Sequence, residues 1–217
     1  MNSNLKKITT LGMMSALAYV VMLLIHIPVV PAMPFLWYDP KDVIIVIGGL
    51  IYGPMSAFIM SLVVSFVEMV TVSSTHIIGM LMNVLATVSF AVTASYIYKK
   101  KRTMAGAIAG LLTGVVLMTA VMVLWNYIIT PYYMGIPRQA VVDLIVPALI
   151  PFNVIKASLN AGLTMLLYKP VVMSLRKTNL LEQPARPARK FNPGMIILGL
   201  FLVATSVLVI LVLQGII

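Results

Sequence analysis

Long stretches without a charged residue dominate this chain and leave it few possible folds. Each is long enough for at least one helical crossing of a bilayer, which takes ~20 apolar residues. The strict alternation of a membrane-spanning strand is absent, and only 9% of the residues are charged, against about 25% in soluble domains. The sequence therefore predicts an all-α integral membrane protein. The charge-free runs cover 8–38, 43–67, 69–98, 103–137 and 191–217.

Prolines and glycines divide these runs into helices. A membrane helix is not expected to continue through Pro28, Pro31 and Pro34. The segment 28–41 is therefore predicted as a loop or re-entrant segment. Gly53 and Pro54 predict a tight turn inside the second run. At ~1.5 Å per residue, the segment before that turn is too short to cross alone. The predicted helices are 8–27, 42–52, 55–72, 76–98, 103–130, 144–168 and 193–213.

The basic residues predict the orientation of the chain. With a turn at 52–54, Lys6 and Lys7, the cluster 99–102 and the segment 175–190 all fall on one side. An unbroken helix over 43–72 would place 99–102 on the opposite side. The positive-inside rule makes the shared side cytoplasmic, and it explains the net charge of +10 without a nucleic-acid partner. We therefore predict a multi-pass protein of the cell membrane with a cytoplasmic N-terminus.

The same boundaries predict three segments and no enzyme. A six-helix core covers 1–175, a basic cytoplasmic linker covers 176–192, and an additional transmembrane helix covers 193–217. The chain has no cysteine, no phosphate-binding loop and no hydrolase motif. His26 and His76 have no third ligand at a recognisable spacing, so no metal or cofactor site is predicted. Uphill transport would draw its energy from a partner or an ion gradient.

A polar stripe lies in the last helix of the predicted core. Asn153, Lys156 and Asn160 have the spacing i, i+3 and i+7, which places them on one helical face. An ionisable group at helix centre costs ~2.5–3.5 kcal/mol, so such groups usually face a cavity or a partner. Two explanations stay open: a binding site on this face, or an ion pair between Lys156 and Glu68, the one acidic residue inside a predicted span.

Aromatic residues gather with amides near the predicted outer surface. Asn126 lies in the segment 125–135, WNYIITPYYMG, and Trp37 and Tyr38 lie in the first outer loop. An aromatic belt at the membrane interface is one explanation. The other is a site for a flat, partly polar ligand, with rings for stacking and amides for its edge. Asn83, a further embedded amide, is of a kind that commonly joins helices.

Small residues on the first helix predict a close helix–helix contact. Gly12 and Ala16 are four residues apart with Ser15 beside them, which is the small-xxx-small pattern of tightly packed membrane helices. The contact could form inside the bundle or with a second membrane subunit.

Several motifs together resemble the substrate-binding S components of energy-coupling factor (ECF) vitamin transporters, and most of all the riboflavin-binding members. The resemblance covers about residues 8–170, which is the six-helix core of such proteins, so the helix after 193 is additional to it. The motifs are GMMSALAYV (12–20), FLWYDPKD (35–42), YGP (52–54), GMLMNVLA (79–86), NYIITPYY (126–133) and PFNVIK (151–156).

The resemblance implies that the protein captures riboflavin or a related flavin from outside. Gly12 and Ala16, with Ser15, would then dock onto a transmembrane coupling subunit carried by two ATP-hydrolysing subunits. The alternatives are another vitamin (thiamin or a purine-like base), a stand-alone secondary carrier, and a non-transporting scaffold protein. The predicted substrate-binding residues are Asn126, Asn153, Lys156, Asn83, Trp37, Tyr38, Asp39, Tyr127, Glu68 and Asn160.

Overall fold

The computed structural model describes residues 3–30, 36–181 and 193–216, so part of the first predicted loop and most of the predicted linker lie outside it. Six of the helices in these ranges are long and apolar enough to cross a membrane, and only α2 is too short. The prediction of an all-α membrane protein with an additional C-terminal helix is confirmed. The elements are α1 Ser3–Leu24, β1 Ile27–Pro28, β2 Trp37–Tyr38, α2 Lys41–Tyr52, α3 Pro54–Thr71, α4 His76–Lys101, α5 Met104–Met134, α6 Arg138–Lys177 and α7 Pro193–Leu213.

The predicted turn between α2 and α3 is present. Gly53 has φ +96°, in the region that favours glycine, and Pro54 occupies the first turn of α3, where its missing N–H has no helical partner to lose. The predicted loop over 28–41 instead contains a short antiparallel hairpin, in which Ile27 pairs with Tyr38 and Pro28 with Trp37.

Two helices are longer than the sequence predicted. α5 continues through Pro131 to Met134, and α6 begins at Arg138 rather than at residue 144. Pro147 lies in a π-helical turn, Ile145–Leu149, that is continuous with the rest of α6. A wider turn of this kind accommodates the loss of one backbone hydrogen bond. The predicted end of α5 at residue 130, just before Pro131, and the predicted start of α6 at residue 144 were both wrong.

The helices run back and forth between two ends of the bundle. At the basic end, the Lys7 ammonium lies 6.0 Å from the ring centre of Tyr52, and α4 ends in the cluster 99–101. At the hairpin end, β1 and β2 connect α1 to α2. α7 returns to the hairpin end, where Gln214 Nε2 donates to the carbonyl oxygen of Pro28 at 2.6 Å. The described basic clusters thus share one end; the side of the membrane that it faces stays a prediction.

The interior consists of two apolar cores. The larger contains residues from all seven helices, among them fully buried Phe90 and Met118. There α4 and α5 pack closely, because a side chain at Gly110 would meet the carbonyl oxygen of Ala94 at 2.7 Å. The smaller core lies under the hairpin. Between the two cores, at the hairpin end, the packing leaves a cavity.

Candidate functional site

The cavity has a volume of about 520 Å³ and lies within the hairpin end of the bundle. Residues from α1, the hairpin segment, α3, the α3–α4 loop, α4, α5 and α6 form its walls. Its volume lies within the ~300–1,000 Å³ typical of small-molecule sites. The structure brings seven of the predicted binding residues to the cavity wall: Trp37, Asp39, Glu68, Asn83, Asn126, Asn153 and Lys156.

Charged side chains form a buried network on one side of the cavity. Lys156 Nζ donates to Asp39 Oδ2 at 3.0 Å. Lys41 Nζ lies 3.8 Å from Asp39 Oδ1 and donates to Glu68 Oε2 at 2.6 Å. The sequence-based alternative that Lys156 pairs with Glu68 is therefore wrong, because Lys41 occupies that carboxylate. Lys156, Lys41, Asp39 and Glu68 each have an oppositely charged partner in this network, which buried ions need to remain ionised.

The ion pair does not remove Lys156 from the cavity. An ammonium group has three N–H donors, and the pair with Asp39 uses one of those on Nζ. The remaining donors belong to a side chain that lines the cavity wall. On the other side of the network, Glu68 Oε1 accepts from Asn83 Nδ2 at 2.9 Å. The network therefore fixes both an ammonium and an amide at the cavity surface.

Two further amides are held in place by their own helices. Asn126 Nδ2 donates to the carbonyl oxygen of Met122 at 2.7 Å, and its Oδ1 accepts from Thr130 Oγ1 at 2.9 Å. Asn153 Nδ2 donates to the carbonyl oxygen of Leu149 at 2.8 Å. These bonds fix which amide atoms point back into the helix. The Oδ1 atom of Asn153 is left as the acceptor with which this residue can meet a ligand.

Tyr38 and Asn160 do not line the cavity, although the sequence grouped them with the site. The Tyr38 hydroxyl donates to Asn160 Oδ1 at 3.1 Å, and Asn160 Nδ2 donates to Asp42 Oδ2 at 3.3 Å. Thr87 Oγ1 donates to the other oxygen of Asp42 at 2.6 Å. All four side chains are buried. Asn160 lies one helical turn beyond Lys156, which places it behind the wall, where it ties α6 to α2.

Tyr127 also lies away from the cavity wall. Its side chain is 38% exposed, and the guanidinium carbon of Arg138 lies 5.1 Å from its ring centre. Successive residues of a helix point about 100° apart, so the neighbour of an inward-facing Asn126 points elsewhere. The aromatic residues that do line the cavity are Trp37, Tyr133 and Phe152. Trp37 is also stacked near His26, with ring centres 4.4 Å apart.

Sequence reasoning missed two groups of site residues. One is Lys41 with Asp42, at the junction of the predicted loop 28–41 and the predicted helix 42–52; both are about 1% exposed. The other is a wall of methionines, whose flexible, polarisable thioethers suit contact with an aromatic ring. The 17 methionines of the chain were a compositional signal, but no spacing distinguished the ones at the site. They are Met22, Met82, Met118, Met122 and Met134.

The Asp39 carboxylate is charged because of its two ammonium neighbours. Burial alone would raise the pKa of Asp39, but Lys156 and Lys41 outweigh burial and lower the pKa to about 2. A carboxyl group whose pKa is lower in the folded state stabilises that state above its unfolded pKa. This contribution is lost as the pH falls through the folded pKa.

From this shift we expect the protein to lose stability between about pH 4 and pH 2, and Asp39 to contribute no pH dependence between pH 5 and pH 9. The contribution lost at low pH is about 2–3 kcal/mol. Thermal unfolding in detergent across this range, with Asp39→Asn beside the parent protein, measures it. Equal slopes for the two proteins below pH 4 would contradict the assignment.

The fold and the cavity define an integral membrane protein with a small-molecule site, and comparison with known proteins identifies its class. A family model described as "ECF transporter, substrate-specific component" matches residues 6–168. The chain belongs to this family of transporter substrate-binding components.

Relatives within the family are similar over most of their length. The Riboflavin transporter RibU of Staphylococcus aureus (strain TCH60) is 32% identical over 179 residues, which cover 79% of this chain and 93% of the relative. The Riboflavin transporter FmnP of Bacillus subtilis (strain 168) is 30% identical, with 70% of this chain and 84% of the relative covered. A solved S component of a bacterial ECF transporter superposes with a TM-score of 0.69 at 31% identity, covering 80% of this chain and 99% of that one.

Proposed function

We propose that this protein is the riboflavin-binding S component of an ECF-type importer, which captures the vitamin from outside the cell. The relatives named as riboflavin transporters support the choice of vitamin. The observation that carries the proposal is the cavity, where an ammonium and amides lie beside an apolar wall.

The apolar and the polar parts of the cavity wall match the two parts of riboflavin. The flavin is a flat tricyclic ring with carbonyl and imide groups along one edge, and its ribityl chain carries hydroxyl groups. Methionine and aromatic side chains suit the ring faces. Lys156, Asn153 and Asn126 offer hydrogen bonds to the polar edge or to the hydroxyl groups, in the pattern of few polar groups among many apolar ones that is typical of such sites.

The exposed face of α1 supports the proposed partners. Gly12 and Ala16 are exposed, and a side chain at Gly12 would meet no atom of this chain within 4 Å. Gly12 and Ala16 are thus not used inside the bundle, whereas Ser15 is only 8% exposed and packs within it, so the prediction of Ser15 as a docking residue is wrong. We propose that it contacts a transmembrane coupling subunit carried by two ATPase subunits, with the basic end of the protein, including its N-terminus, on the cytoplasmic side. The segments 1–175, 176–192 and 193–217 would then be core, linker and additional helix.

Riboflavin titration of the purified protein tests this proposal. We expect one-to-one binding with quenched flavin fluorescence, because Trp37 and Tyr133 line the cavity. Protein that binds thiamin or a purine-like base in the same assay, and not riboflavin, would overturn the choice of vitamin. Uptake by the protein alone in proteoliposomes, driven by an ion gradient, would overturn the proposed dependence on ATPases.

We expect Asn126→Ala and Asn153→Ala each to weaken riboflavin binding by about 10-fold. One hydrogen bond to a ligand contributes ~0.5–1.5 kcal/mol, and the truncated side chain also loses its other contacts with the ligand. Isothermal titration of each variant measures the change. Thr119→Ala is the matched control, because its hydroxyl also bonds within α5, to the Val115 carbonyl oxygen, outside the cavity. If both asparagine variants bind like the control, the assignment of Asn126 and Asn153 as ligand-binding residues is wrong.

A further inference from the structure

The helix α7 lies beyond the residues that the family model matches, yet it contacts the hairpin that borders the cavity. We propose that α7 holds the hairpin against the cavity, that the ligand leaves when the hairpin moves away, and that Gln214 is the positioning residue of this contact. The proposal rests on the proposed function only for its choice of riboflavin as the probe.

α7 is firmly seated on the core of the bundle. It crosses α6 at Gly162 and Gly199, where an added side chain at Gly162 would meet the carbonyl oxygen of Gly199 at 2.8 Å. The reverse contact, from Gly199 to the carbonyl oxygen of Gly162, is 3.2 Å. Such close backbone approach is typical of stable helix pairs in membranes. α7 therefore offers a fixed support rather than a loosely attached segment.

From this support, α7 reaches the hairpin through apolar and polar contacts. Ile210 is buried in the same apolar core as Val29 and Leu36, residues that follow β1 and precede β2, and Leu213 packs against that core. One turn further, Gln214 Nε2 donates to the carbonyl oxygen of Pro28 at 2.6 Å. The end of α7 thus contacts the hairpin through both an apolar core and a hydrogen bond.

The hairpin that α7 contacts also contributes residues to the cavity wall. Pro28 is paired with Trp37 across the ladder, and Trp37 lines the cavity. Two residues later, Asp39 also lines the cavity and accepts the hydrogen bond of Lys156. A hairpin released from α7 is free to carry both side chains away from a bound molecule, and dissociation then becomes faster.

The dissociation rate of riboflavin from the full-length protein tests the role of Gln214. We expect Gln214→Ala to raise this rate by about 5-fold, the factor that corresponds to one net hydrogen bond. Gln214→Lys keeps a donor and should restore a rate near that of the parent. Thr205→Ala is the control, because its hydroxyl bonds to the Phe201 carbonyl oxygen within α7. An unchanged rate in Gln214→Ala would overturn the proposal.

A second pair of variants tests the apolar part of the contact. Ile210→Ala truncates a buried side chain of the smaller core under the hairpin. Val209→Ala truncates the adjacent side chain, which is 42% exposed. We expect only Ile210→Ala to accelerate release. A lower melting temperature with an unchanged release rate would show that α7 serves stability alone, and it would overturn the proposal. Failure of the parent protein to bind riboflavin would contradict the proposed function instead, so the two failures are distinguishable.

Cross-linking tests the movement of the hairpin directly. The chain contains no cysteine, so Pro28→Cys with Gln214→Cys introduces the two thiols without background. A short thiol-reactive bifunctional reagent that joins them should slow riboflavin release, and a reducible reagent should allow recovery on reduction. Release at the same rate before and after cross-linking would contradict hairpin movement.

Discussion

Replacement of Lys156 by methionine is expected to weaken riboflavin binding by ~10- to 100-fold, because a hydrogen bond between a charged group and a ligand contributes ~1.5–3 kcal/mol. The variant removes the ammonium from the cavity wall and also leaves Asp39 with only the more distant ammonium of Lys41, at 3.8 Å. Isothermal titration with riboflavin measures the loss. Lys177→Ala is the matched control, since this exposed lysine lies in the last turn of the same helix.

A double variant separates binding from stability. In Lys156→Met alone, the Asp39 carboxylate stays buried with a weaker partner, so the melting temperature should fall. Adding Asp39→Asn removes that charge and should recover part of the stability without recovering binding. Binding restored in the double variant would show that Lys156 serves only to neutralise Asp39, and it would contradict a direct contact with the ligand.

Ala16→Trp is expected to reduce energised riboflavin uptake by at least ~10-fold while leaving binding by the isolated protein within about 2-fold of the parent. A large side chain on a small-residue face keeps a partner helix from approaching closely. Ala16 is exposed and lies on α1, away from the described lining of the cavity. Uptake by cells or proteoliposomes that contain the whole transporter, compared with titration of the purified variant, measures both quantities.

The control for this prediction is the adjacent position. Leu17 is 52% exposed and points about 100° away on the same helix. Leu17→Trp should therefore retain uptake. Equal uptake in the two tryptophan variants would contradict docking through the Gly12–Ala16 face, and reduced riboflavin binding in Ala16→Trp would place its effect inside the bundle.

The sequence was most reliable where a single physical rule governs a long stretch. Charge-free runs predict membrane helices because a bilayer has no water to satisfy backbone or charged groups. The α2–α3 turn followed from Gly53 and Pro54, together with the requirement that basic clusters share one end. The proline rule was less reliable, since α5 continues through Pro131 to Met134.

The site was predicted only in part, and the residues show why. The i, i+3 spacing of Asn153 and Lys156 identifies one helical face, and both residues line the cavity. The same spacing extends the stripe to Asn160, because periodicity gives direction around a helix but not the depth at which the cavity ends. Asn160 instead bonds to Asp42, from a helix more than a hundred residues away in sequence.

The identity of the partner of Lys156 shows the same limit. Glu68 was a reasonable candidate because it is the acidic residue inside a span, whereas Asp39 belonged to a predicted outer loop. The hairpin turns that loop inward, so that Asp39 and Lys41 become buried and Lys41 binds Glu68. By itself, the sequence determined that these are membrane helices, how they are divided, and which helical face carries the polar groups, because each depends on local spacing and charge. The tertiary structure alone decided which charges meet, which methionines line the cavity and where α7 contacts the hairpin, because these depend on how distant segments pack.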